Sequence, residues 1–178
     1  MALTTEYGTL RKETLLVKYY PRQGLYRLNV NDIESVWEEA EEYFKRKDYV
    51  QACEKYYKVA EECVKILSEQ YAPNVIKEVK KIGNWSTSFL YRAVSDIVKN
   101  IGWEGRLEED IFREGWKSAV ELHIKGFHEY SLDESTIKYD KDKVEKMKNL
   151  VEKKLREIER NIFSGNTASL TSFSNMIF

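Results

Sequence analysis

Tyr49-Val-Gln-Ala-Cys-Glu-Lys-Tyr-Tyr-Lys-Val-Ala-Glu-Glu-Cys-Val-Lys-Ile-Leu-Ser-Glu-Gln-Tyr71 carries the clearest periodicity in the chain. Tyr49, Ala52, Cys53, Tyr56, Tyr57, Ala60, Cys63, Val64, Leu67 and Tyr71 recur at steps of three and four, the spacing of one apolar helix face. The same spacing precedes it in Ile33, Val36, Trp37, Ala40, Tyr43 and Phe44, with Asn31 or Asp32 as the predicted N-cap. Only Lys47-Asp48 separates the two patterns, and a loop that short forces two helices to run antiparallel as neighbours. Ala40, Ala52 and Ala60 are small enough to let them approach closely. This hairpin sets the fold class as all-α.

Outward from the hairpin, Pro73 ends the second helix, and residues 74–81 form a short helical turn that Gly83 stops. A helix over 86–101 places Phe89, Leu90, Ala93, Val94, Ile97 and Val98 inward; Gly102 and Gly105 then interrupt the chain. A long helix follows over 106–132. The polar stretch 132–143 reads as a loop. Val144, Met147, Val151, Leu155, Ile158 and Ile162 form the seam of a last helix whose outer faces are dense in Lys, Arg and Glu. Before the hairpin, residues 1–30 lack helical period; Leu15–Tyr20 and Leu25–Leu28 look extended around Pro21-Arg-Gln-Gly24. After the last helix, residues 164–178 are rich in Ser, Thr and Asn and read as a flexible tail, with Met176-Ile-Phe178 as its only apolar end. The expected organisation is an extended arm (1–30), an antiparallel bundle of five or six helices (31–163) and the tail (164–178).

Composition bounds the function. A 178-residue chain with 42% hydrophobic and 33% charged residues is globular and more charged than the usual ~25%. The balance of Lys and Glu fits a thermophilic source. Twenty-nine basic against thirty acidic residues give a net charge of −1, so no overall field draws the chain to nucleic acid or anionic lipid. No stretch approaches a membrane span and no signal peptide is visible, so a cytoplasmic location is expected and a membrane partner is not. Cys53 and Cys63 fall ten residues apart on one helix, ~15 Å, too far to bridge, and read as small core residues. Neither a phosphate loop nor a zinc-type cysteine pair is present, and no cofactor or metal is expected. The acidic residues of the first helix, from Asp32 to Glu42, read as a solvated face.

Chemistry concentrates in Gly115-Trp-Lys-Ser-Ala-Val-Glu-Leu-His-Ile-Lys-Gly-Phe-His-Glu-Tyr130, which holds both histidines and two glycines inside one predicted helix. Interior glycine costs a helix ~1 kcal/mol relative to alanine, so the pair marks close packing or a nearby ligand. At ~100° per residue, Phe112, Trp116, Ala119, His123, Phe127 and Tyr130 share one core-facing stripe. His123 is then an imidazole among aromatics, either bonded to a carboxylate or tyrosine or set at the base of a cleft. Trp116, His123 and Phe127 are its candidate ligand-binding residues. His128 falls ~140° round the helix, so a rigid helix cannot aim both rings at one point. Lys117, Glu121 and Lys125 at four-residue steps read as surface ion pairs. For nucleic acid, Lys77, Lys80, Lys81 and Arg92 with Trp85 and Tyr91 combine basic and stacking groups, against a bland alternative of a solvated face beside a buried Trp85.

The hairpin residues Trp37, Ala40, Tyr43, Lys47-Asp48-Tyr49, Ala52, Tyr56 and Ala60 resemble the opening of HEPN-type bundles. With Gly115-Trp116, Ala119, Leu122-His123 and Gly126-Phe-His-Glu129, the chain looks more narrowly like the archaeal PaREP family, over about Asp32 to Leu132. The resemblance implies RNA-linked biology, and many HEPN proteins are metal-independent ribonucleases that set an arginine one to two turns before a histidine. Here the nearest upstream arginine, Arg113, stands ten residues before His123. The expected function is therefore a non-catalytic HEPN-like binding or assembly module contacting RNA or a nucleotide-bearing partner. The chain is expected to form a homodimer or higher homo-oligomer, with the arm and tail packing on their own copy or on a second one. One alternative is a metal-independent nuclease or other hydrolase using His123 or His128 with Glu121, Glu129 or Arg113. Another is a tetratricopeptide-like scaffold.

Overall fold

The structure, a computed structural model, describes residues 30–163. Six α-helices and one π-helical turn make up this part: α1 (Val30–Lys45), α2 (Tyr49–Tyr71), α3 (Pro73–Ile82), α4 (Thr87–Asn100), α5 (Arg106–Glu121), the π turn (Leu122–His128) and α6 (Glu134–Phe163). The all-α expectation holds, and no strand occurs among the described residues. The expected arm, apart from Val30, the tail and the side chain of Ile162 lie outside the described residues. No described helix is long and apolar enough to cross a membrane.

The α1–α2 hairpin closes as its short loop demands. Lys47 takes the left-handed conformation (φ 60°). Lys47 N–H donates to Phe44 O (3.0 Å) and Asp48 N–H to Tyr43 O (2.9 Å), the paired bonds of a Schellman ending. Asp48 then caps α2, its carboxylate accepting from Gln51 N–H at 3.3 Å. At the other end of α1, Asn31 and Asp32 stand within the first turn instead of before it.

Helix α2 is the axis of the bundle. It packs against α1, α4, α5, α6 and the π turn, and its residues from Val59 to Ser68 are buried without a break. Cys53 and Cys63 are free thiols in that core. Burial pushes the Cys53 thiol up to about 12. Pro73 sits in the first turn of α3 instead of merely ending α2, and Gly83 closes α3 in the left-handed region (φ 91°) with its N–H on Val79 O. A full helix thus replaces the expected short turn.

The largest departure from the sequence reading is residues 134–143, expected as loop and observed as the first turns of α6. Asp133 starts the helix by accepting from Thr136 N–H (2.8 Å). Ile137 is buried, Asp140 accepts a buried hydrogen bond from Ser118 Oγ (2.8 Å), and Lys141 reaches Glu41 on α1 (2.7 Å). These partners come from two distant elements, α5 and α1, so local periodicity could not reveal them. They also correct the solvated-face reading of α1. Glu41 joins Tyr56 and Lys141, while Glu34 pairs with Lys148, a lysine 4% exposed. Lys154 is buried as well, bound to Glu108 at 2.9 Å, so part of the charge on α6 seals seams between helices.

Helices α5 and α6 run antiparallel, since Glu108 meets Lys153 at one end and Ser118 meets Asp140 at the other. Gly115 makes their approach possible. A Cβ there would overlap Met147 Cβ and lie 2.9 Å from Lys143 O.

Candidate functional site

Beyond Glu121 the long helix changes its winding. Glu129 N–H donates to Ile124 O, five residues back, at 3.1 Å, and Ser131 N–H reaches Lys125 O, six back, at 2.8 Å. Tyr130 then leaves the helix with φ 55°. The wider turn removes the expected 140° between the histidines. Residues five apart come onto neighbouring positions, and His123 Nε2 and His128 Nε2 stand 3.1 Å apart with their rings edge to face (centroids 4.5 Å, 80°).

Gly126 holds this turn against α2. A Cβ there would overlap Cys53 Sγ and lie 2.8 Å from Cys53 Cβ. The approach carries His123 to the residue after Cys53, so that His123 Nδ1 meets Glu54 Oε2 at 2.7 Å. Tyr57, one turn along α2, stacks on the His123 ring (4.2 Å, 24°), and Phe127 stacks at 5.7 Å and 16°. Burial pushes the Tyr57 phenol up to about 12, with Glu61 and Glu54 adding to the rise, so it stays a neutral donor.

The order of contacts fixes the tautomers. A carboxylate only accepts, so His123 Nδ1 carries the proton facing Glu54. In the neutral ring Nε2 then accepts, and His128 Nε2–H donates to it. His128 is exposed, and its Nδ1 remains for an outside partner. The arrangement is a carboxylate–imidazole–imidazole relay running from a core helix to the surface, able to accept, hold or pass a proton.

The structure distributes the other sequence candidates differently. Trp116 is buried and meets the relay through Tyr57 (6.1 Å); its other ring neighbour is the half-exposed Tyr91 (5.9 Å). Tyr130, expected on the core stripe, is 71% exposed because the stripe ends where the winding changes. Arg113 is engaged by Glu109 (2.8 Å), and Glu121 by Lys125. Glu129 is exposed, its N–H serving the π turn. The carboxylate on His123 is Glu54, which sequence reasoning missed. Gly126 was the signal that could have led to it, because a glycine demanded by close approach must have a helix against it.

Lys77, Lys80 and Lys81 of α3 are exposed, and Trp85 is partly buried. Arg92 is not available as a backbone clamp, since its guanidinium forks onto both oxygens of Glu78.

Solved structures of one Sulfolobus solfataricus target are similar to the chain. One is a crystal structure of a Sulfolobus solfataricus protein, 40% identical, with a TM-score of 0.59 over 69% of this chain and 95% of that one. The other is a solution structure of the same target, the Orf c02003 protein, 38% identical, with a TM-score of 0.54 over 69% of this chain and 90% of that one. No curated protein matches. Residues 28–148, which hold α1 to α5, the π turn and half of α6, match the sequence profile of one family, and the chain belongs to it: the archaeal PaREP1/PaREP8 family.

Proposed function

We propose that the chain is a HEPN-like binding module that contacts RNA, or another nucleotide-bearing partner, through the histidine turn. The observation that supports this reading is the relay from Glu54 through His123 to the exposed His128, which offers a polarised imidazole at the surface. Around it stand groups suited to a nucleotide: the partly exposed ring of Phe127 and the exposed ring of Tyr130. A phosphate suits the imidazole, and an unpaired base suits the rings. The lysines of α3 become secondary, because the arginine that would have joined them is occupied by Glu78.

The test is fluorescence anisotropy of a labelled single-stranded RNA at low salt. His128→Ala and Tyr130→Ala are expected to weaken binding, the second by roughly 5- to 100-fold if one base stacks there (~1–3 kcal/mol). The triple variant Lys77→Ala, Lys80→Ala, Lys81→Ala is expected to change binding only through its salt dependence. No binding at micromolar protein, or loss in the lysine variant with His128→Ala unaffected, overturns the reading.

A second reading, a metal-independent hydrolase, is favoured by the order within the relay. A carboxylate orients one imidazole, which orients a second whose outer nitrogen can take a proton from a hydroxyl. Cleavage of RNA in excess chelator that disappears in His128→Ala supports it; cleavage that persists in that variant removes the relay from the chemistry.

A further inference from the structure

We infer that the histidine turn is a binding site for a borderline divalent transition-metal ion of the zinc and copper(II) class, held by His123 Nε2 and His128 Nε2. The inference goes beyond the RNA reading and does not need it, since metal binding is measured with no nucleic acid present.

Three features carry it. First, the two nitrogens converge. With metal–nitrogen bonds of ~2.05 Å, nitrogens 3.1 Å apart subtend about 98° at the ion, between the octahedral and tetrahedral angles. Second, the far nitrogen of His123 is held by a carboxylate at 2.7 Å. This is the outer-shell partner that metal-binding imidazoles need: it fixes the tautomer that points the Nε2 lone pair inward and holds the ring in place. His128 has to exchange only its own tautomer, moving its proton from Nε2 to the solvent-side Nδ1, to present a second lone pair. Third, the convergence is held from behind, by the stacking of Tyr57 and Phe127 on His123 and by the lack of a side chain at Gly126, where the turn meets Cys53.

The donor set names the class of ion. Imidazole nitrogen without carboxylate in the inner shell suits zinc, nickel and copper(II) over magnesium and calcium. The nearest thiol, Cys53, is fully buried and protonated, so it is not a ligand. Among the described residues no set of three or more His, Cys, Asp or Glu side chains forms a complete protein-ligated site. The site therefore supplies two ligands and leaves the remaining positions to water or to oxygen atoms of a bound anion. Two ligands predict affinity well short of a structural zinc site, and an ion that can be exchanged.

The experiment uses the full chain, stripped with chelator and titrated with Zn(II) by calorimetry, and loaded with one equivalent of Cu(II) for electron paramagnetic resonance. Expected are one Zn(II) per chain and copper hyperfine structure from two imidazoles. His128→Ala, at an exposed position that leaves the core intact, is expected to lose at least tenfold in affinity and one of the two imidazole signals. Glu54→Gln is expected to weaken Zn(II) by roughly 10- to 100-fold with both signals kept. Failure of the wild type to bind Zn(II) below millimolar concentration overturns the inference. So does an equal affinity in His128→Ala, or a copper spectrum with a single imidazole in the wild type.

Discussion

The two halves of the helix that begins at Arg106 use the same device for different ends. Each half contains a glycine at which a side chain would overlap its neighbour: Gly115 against Met147 of α6, and Gly126 against Cys53 of α2. Around Gly115 the winding stays α-helical, the face inward is Phe112, Trp116 and Ala119, and the result is a packed seam. Around Gly126 the winding loosens to five-residue steps, the inward residues are Leu122 and Gly126, and two imidazoles are turned toward each other at the surface. Close approach alone therefore builds core; close approach with an altered helical step builds a candidate site.

The strongest way to test that contrast is to add the missing methyl in each half. Gly115→Ala gains ~1 kcal/mol of helix propensity but forces apart two helices whose contact atoms are a Cβ and a backbone carbonyl, neither able to swing away. A net loss of ~2 kcal/mol is expected in denaturant unfolding, with the histidine ring resonances unchanged. Gly126→Ala is expected to cost a similar ~1–3 kcal/mol. In contrast to Gly115→Ala, it should also move both histidines, because Glu54 and His123 meet only while the turn lies on Cys53. Unshifted histidine resonances in Gly126→Ala would break the proposed link between the glycine and the relay.

A smaller effect separates the start of α6 from the rest of that helix. Asp133→Ala removes the cap on Thr136 N–H and is expected to cost ~1 kcal/mol, seen as faster amide exchange over residues 134–140 alone. Uniform loss of protection along α6 would show that the first turns are not a separable unit.

Equal to it in size is the acid limb of stability at the opposite end of α5. Burial pushes the Glu108 carboxyl up, but Glu104 N–H, Lys153 and Lys154 outweigh it and hold the group at about 2, against an ordinary 4.5. The folded chain keeps this carboxylate charged where the unfolded chain protonates it. Its contribution is therefore complete above about 4.5 and is lost as pH falls toward about 2. Glu108→Gln is expected to be ~1 kcal/mol less stable than wild type at neutral pH, with the gap closing across that window. A gap independent of pH would place the cause in packing.

These regions also differ in how far the sequence discloses them. The hairpin, the inward face of α4 and the seam of α6 from Val144 onward were legible, because each is a run of apolar residues at helical spacing. Gly115 and Gly126 were legible as close approaches for a simple reason: a glycine that disfavours a helix needs a packing cause. The start of α6 was not, since Glu134 to Lys143 holds mostly polar residues whose partners, Tyr49, Glu41 and Ser118, stand on three other helices. The site was half legible. Both histidines stood out, yet a constant 100° step separated them. The local change of winding that joins them depends on contacts between Gly126 and Cys53 that no helical wheel contains. Glu54 was hidden for the same reason, being one charged residue on a helix otherwise read for its apolar face.

The finest test leaves the fold alone and breaks only the relay. Glu54→Gln keeps an amide oxygen where His123 Nδ1–H can still donate, so stability is expected to change by less than ~1 kcal/mol. What changes is the charge. A carboxylate only accepts and so holds His123 in one tautomer; an amide, which can also turn its NH2 to the ring, does so far less. Nitrogen-15 spectra of the rings are therefore expected to show mixed tautomers at His123 and, through the 3.1 Å contact, mixed tautomers at His128, which Glu54 does not touch. His128 ring spectra identical to wild type would mean that the two imidazoles are neighbours without being coupled, and the turn around Gly126 would then differ from the seam around Gly115 only in shape.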